Sequence, residues 1–118
     1  MKSEELRENL QQFYGTENYF KNPLLRYQYT DGVKYFAENA GAYWLLQEIN
    51  FIYVELLKIN KAEFIGITVN SNNNKADIIA DDGNDNILKQ KHIGFTDLPE
   101  GEWKFFLINN ILLLPSEY

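Results

Sequence analysis

No cysteine occurs among the 118 residues. That excludes disulfides, thiolate catalysis and every cysteine-ligated metal, and it fits a reducing compartment. Histidine occurs once, at position 92, so no two-histidine cluster exists. Neither G-x-S-x-G nor H-E-x-x-H is present, and no glycine-rich phosphate loop interrupts the chain. Long apolar runs are missing as well. Residues 111–114 are far too few to span a bilayer, and the opening MKSEELRENL is charged and amphipathic where a signal peptide needs an apolar stretch. The expectation is a cytoplasmic protein without a membrane partner.

Basic charge is scarce: 11 Lys and Arg face 17 Asp and Glu, for a net charge of −6. Direct nucleic-acid binding needs clustered Lys and Arg against phosphates, so it is not expected. A protein partner with a basic surface is, because complementary charge speeds encounter. What the chain has in excess is aromatic side chains, at 15%, each supplying large contact area to a core or an interface. The length suits one domain over residues 1–118.

Residues 3–13 carry apolar positions Leu6, Leu10 and Phe13 at helical spacing, with Ser3 as cap and Gly15 as terminator. RYQYTDGVKYF predicts a β-hairpin with strands 26–30 and 33–36 turning at Asp31-Gly32, a strong two-residue turn signal. From Asn39, the expected cap, to about residue 58 the pattern predicts one long helix, apolar nearly all round. Residues 63–70, 75–81, 86–95, 102–108 and 111–115 read as strands. Asn-rich 71–74, the DDGND turn, the break at 97–101 and Asn109-Asn110 separate them, and Pro115 ends the last. The fold class is α+β: an antiparallel sheet of about five to seven strands on one long central helix, with a short N-terminal helix and a hairpin. Gly41 and Ala42 are small where that helix would start under the hairpin. Gly41→Leu is therefore expected to destabilise by overpacking, with one of Tyr43 and Trp44 facing outward.

Candidate sites follow from chemistry. His92 could act as a general base with a nearby acid such as Asp97. Residues 81–86 superficially resemble a calcium loop, but counting from Asp81 puts Gly83 at a ligand position and His92 where the closing glutamate belongs. No metal and no cofactor is expected. Glu38, Glu48 and Glu55 read as solvated helix positions. The candidate interaction surface comprises Tyr27, Tyr29, Asp31, Tyr35, Tyr43, Trp44, Asp81, Asp82 and Asp85: tyrosines suited to contacts and carboxylates suited to a basic partner. Two functions result. One is a non-enzymatic interaction module, with a homodimer through the tyrosine face or a sheet edge as a variant. The other is a small enzyme or ligand-binding protein using His92.

Three stretches taken together, YTDGVKYFAENAGAYWLL (29–46), HIGFTDLP (92–99) and ILLLPSEY (111–118), resemble a family of small bacterial, plasmid-borne and phage-borne proteins grouped as a domain of unknown function. The Asn-rich 71–74 loop and the apolar 49–57 segment depart from its pattern. The resemblance implies no catalytic residue. It does imply a mobile-element setting, where small acidic proteins inhibit host defence complexes such as RNA-guided nucleases.

Overall fold

In a computed structural model that describes residues 2–118, the elements follow in the order α1 (Ser3–Leu10), β1 (Tyr19–Lys21), β2 (Gln28–Thr30), α2 (Asp31–Asn39), α3 (Tyr43–Lys58), β3 (Phe64–Asn72), β4 (Lys75–Asp81), β5 (Ile87–Ile93), β6 (Gly101–Ile108) and β7 (Ile111–Leu113), with a 3-10 turn at Pro115–Glu117. The strands form one sheet in the order β1-β2-β7-β6-β3-β4-β5. All neighbours pair antiparallel except β2 and β7, which run parallel with Gln28 opposite Ile111 and Tyr29 opposite Leu112. The α+β class and the strand count agree with expectation. A purely antiparallel sheet does not.

Two expectations fail together. Asp31-Gly32 does not turn a hairpin; it opens α2. Thr30 is the N-cap, its hydroxyl accepting the Val33 N–H at 3.3 Å, the arrangement that satisfies an orphan donor of a first turn. Val33, Phe36 and Ala37 then fall at i, i+3 and i+4, and all are fully buried. The single long helix is also absent. α2 ends at Asn39, and a short break places α3 at 16 residues. Asn39 caps nothing; its side chain donates to the Tyr35 carbonyl at 2.8 Å.

Two of the hairpins, β3–β4 and β6–β7, turn at asparagine pairs. Asn73-Asn74 and Asn109-Asn110 all have positive φ, between 53° and 62°, as a two-residue turn matching strand twist requires. Period-2 alternation in β3, β4 and β6 sends Ile65, Ile67, Val69, Ala76, Ile78, Trp103, Phe105 and Leu107 to the helix-covered face, where all are buried. Phe36 of α2 sits at the centre, its ring 5.2 Å from Phe105 and 5.4 Å from Trp103. On β5, Lys91 and Lys89 reach back to Glu48 and Glu55 of α3. The 94–99 segment docks on the β3–β4 turn: Thr96 N–H donates to Asn74 O at 2.9 Å, and the Ser71 hydroxyl donates to Leu98 O at 3.0 Å.

One carboxylate joins the two ends of this layout. Glu117, buried, accepts from the Thr30 hydroxyl at 2.6 Å, Leu114 N–H at 2.9 Å, Gly32 N–H at 3.1 Å and the Thr16 hydroxyl at 3.4 Å. A negative group at a helix N-terminus meets both orphan N–H groups and the favourable end of the dipole. Gly32 is required by proximity: a Cβ there would lie 2.5 Å from Leu114 Cδ1 and 2.7 Å from Glu117 Oε1.

Glu117→Ala is expected to cost on the order of 3 kcal/mol, because buried donors lose their acceptor; urea denaturation measures this, and a loss below about 1 kcal/mol would contradict the role assigned to the carboxylate. Gly41, by contrast, has φ +61° and open space where a side chain would begin, so backbone conformation, not packing, selects it. Gly41→Ala and Gly41→Leu should therefore each cost about 1 kcal/mol, whereas overpacking would make the leucine variant far worse; paired thermal melts separate the two.

Candidate functional site

Asp31, first residue of α2, holds the loop that precedes it. Its carboxylate accepts from Asn18 N–H at 3.0 Å and from the Asn18 side chain at 3.3 Å. Tyr35, one turn on, packs against Phe13 with ring centroids 5.4 Å apart and accepts at its hydroxyl from the Asn9 side chain at 3.0 Å. These contacts hold residues 12–18 away from α2 and leave a groove of about 790 Å³ between them. Glu17, Asp31 and Glu38 line it, together with one cation, Lys34. Lys34 is itself committed: it pairs with Glu38 at 3.7 Å and lies over the Phe20 ring at 4.4 Å. Tyr14, 81% exposed, stands at the same groove. Tyr43 donates its hydroxyl to Glu38 at 3.3 Å. Partial burial, and then the Glu38 charge, push the Tyr43 phenol above its ordinary value. The arrangement can hold a cationic segment and offer it an aromatic face; it contains no nucleophile–base pair.

Of the residues singled out from the sequence, Asp31 and Tyr35 meet at this groove and Tyr43 adjoins it. Tyr43, at 44% exposure, is the outward member of its pair; Trp44 is half-buried and packs on the core. Tyr27 and Tyr29 belong to the core and not to an exposed face. Tyr27 donates to Leu46 O at 2.7 Å and meets Tyr53 edge-on at 6.1 Å, and Tyr29 lies 5.7 Å from Phe20. The period-2 rule put the two tyrosines on one face of a two-stranded ribbon. Gln28 separates them, and Tyr27 precedes the strand, turned into the core by its bond to α3.

Asp81, Asp82 and Asp85 sit at the other end of α3, about 24 Å away by helical rise, so the two groups do not form one surface. Their carboxylates serve the turn. Asp81 accepts from Gly83 N–H at 2.8 Å, and Asp82 accepts from Asn84 N–H at 2.8 Å and the Asn86 side chain at 2.9 Å. Those bonds, the Asn86 side chain foremost, hold the Asp82 carboxyl below its usual range. Asp85 is exposed with φ 64°. Tyr14 and Glu17 escaped sequence reading because nothing local marks them; Glu38 was visible only as a solvated helix position.

His92 finds an acid, but not Asp97. Its Nδ1 lies 2.8 Å from Asp77 Oδ1, directly opposite on β4. Both side chains are about half exposed on the face of the sheet away from the helices, and His92 lines none of the depressions described here. No group of three or more metal-ligating side chains occurs among the described residues, and among them no helix is long and apolar enough to cross a membrane.

The fold is thus an α+β sheet protein with an acidic, aromatic groove on its surface. The chain belongs to a family of unknown function, DUF6876, whose model matches residues 4–118. No curated protein and no solved structure matches the chain.

The tyrosine placement has a consequence at high pH. Burial raises the Tyr27 phenol far above its ordinary value of 10.0. The folded state then holds that proton more tightly than the unfolded state, so its contribution to stability is complete below pH 10 and declines as pH rises above it. Tyr27→Phe should be less stable at neutral pH, through loss of the Leu46 bond, yet lose less stability between neutral and strongly alkaline pH. Denaturant titrations across that range check the difference in slope.

Proposed function

We propose that the protein is a non-enzymatic interaction module that docks a basic surface of a larger protein into the groove between residues 12–18 and α2. One observation carries this: three carboxylates and an exposed tyrosine line a groove whose single cation is already paired. Carboxylates so presented occupy positions that phosphates would take on a nucleic-acid-binding surface, and complementary charge favours fast encounter. The partner we propose is a nucleic-acid machine of host defence, such as an RNA-guided nuclease, inhibited or modulated in the cytoplasm by a protein of mobile-element origin. The family resemblance and the net charge of −6 support that choice.

Glu17 and Glu38 are both exposed, so their charges can be reversed. Affinity purification from the native host at low salt should recover a stoichiometric partner that high salt releases. The Glu17→Lys/Glu38→Lys protein should bind that partner about tenfold or more weakly, mainly through slower association. Recovery of no partner at low salt, or equal binding by the charge-reversed protein, would overturn the assignment.

A further inference from the structure

A second depression, of about 310 Å³, shares no lining residue with the groove and has the opposite character. Its walls are apolar, from Leu10, Leu114 and Pro115, and a guanidinium, Arg7, stands in it. Two contacts hold Arg7 in place. It stacks 4.6 Å over the Trp103 ring and donates to the Glu102 carbonyl at 3.2 Å. Gly101 leaves the room for it, since a Cβ at that position would lie 2.5 Å from Arg7 Nη2.

The charge of this guanidinium is not neutralised. Five ion pairs join side chains among the described residues, and none includes Arg7. Glu102, the carboxylate at the same depression, pairs with Lys104 at 3.4 Å. The local balance is therefore one positive charge, in a chain with an excess of acids. A guanidinium uses five donors in a rigid fork; the contact with Trp103 and the bond to the Glu102 carbonyl restrict this exposed side chain and spare part of the ordering entropy when an anion arrives. Gln11 and Ser116 add neutral polar groups to the lining. The volume falls at the lower end of the range typical of small-molecule sites, roughly 300–1,000 Å³, and a mostly apolar wall with few fixed polar groups is the usual composition of such sites.

We propose that this depression binds a small organic carboxylate, with the carboxylate on the Arg7 guanidinium and an apolar body against Leu10, Leu114 and Pro115. The ligand class follows from the pairing of one unneutralised fork donor with apolar walls. A bare inorganic anion would leave those walls unused, and a neutral apolar molecule would leave the charge unused. No residue of this site lines the proposed docking groove.

Phenylacetate and its neutral analogue phenylethanol are the probes, titrated into the full isotope-labelled chain and followed by proton–nitrogen correlation spectra. The Trp103 indole N–H, bonded to Pro99 O at 2.9 Å, is a local reporter. Phenylacetate should move that signal and the backbone amides of residues 101–104 and of Leu114, Ser116 and Glu117 saturably, with phenylethanol about tenfold or more weaker. Arg7→Met should abolish the response to phenylacetate, and Arg7→Lys, which keeps charge without the fork, should retain part of it. Absence of saturable shifts, equal shifts from the neutral analogue, or an undiminished response in Arg7→Met would overturn the site. If Arg7→Met does not fold, the comparison of the two probes on the wild-type chain decides alone.

Discussion

A carboxylate in a protein interior is costly unless donors surround it, and Glu117 is surrounded. Both of its oxygens are used: one by Thr30 and Leu114, the other by Gly32 and Thr16. Those donors come from the loop after α1, the start of α2 and the exit of β7. Removing any one of these segments leaves a buried charge short of partners, so the three persist together. The same bonds explain why a Thr-Asp-Gly stretch that suits a β-turn opens a helix. Thr30 is both a cap for Val33 and a donor to Glu117, and Gly32 gives the carboxylate access to backbone that any side chain would block. Every buried side-chain polar atom among the described residues has a partner, and this cluster is the densest case.

The strands were legible because their alternation is local: β3, β4 and β6 each show their buried face in the order of residues. The Asn109-Asn110 turn was legible for the same reason. α2 was not, because the deciding partner of Asp31-Gly32 stands more than eighty residues away, at Glu117. The break between α2 and α3 was concealed by composition. Gly41 and Ala42 look like small residues chosen for packing, whereas Gly41 serves a left-handed backbone and only Ala42 is buried. The tyrosines illustrate a further limit. Residue type marks Tyr27, Tyr29, Tyr35 and Tyr43 alike, yet the first two are core and the last is exposed. Only the neighbours that each element brings make the distinction, and the groove that collects Asp31, Tyr35 and Glu38 depends on a loop whose own sequence carries no periodic signal.

The three stretches singled out in the sequence each have a structural task. Residues 29–46 form β2, α2 and the start of α3; residues 92–99 fasten the β3–β4 turn; residues 111–118 include the strand and carboxylate that close the sheet. Of the candidate binding residues, Asp31, Tyr35, Glu38, Leu114 and Pro115 lie within those stretches, whereas Tyr14, Glu17 and Arg7 lie outside them.

β2 reaches the rest of the sheet only through β7, by a parallel pairing that joins residues 28–29 to residues 111–112. On a ribosome the chain emerges in order, and closing so long a loop is slow compared with forming local hairpins. β3 with β4 and β5 can assemble first. The segment from Tyr19 to Thr30 has no sheet to join until β7 has been made. Until β6 has been made, the face of Phe36 that Trp103 and Phe105 cover stays open to water as well, so the growing chain passes through a period of exposed aromatic surface.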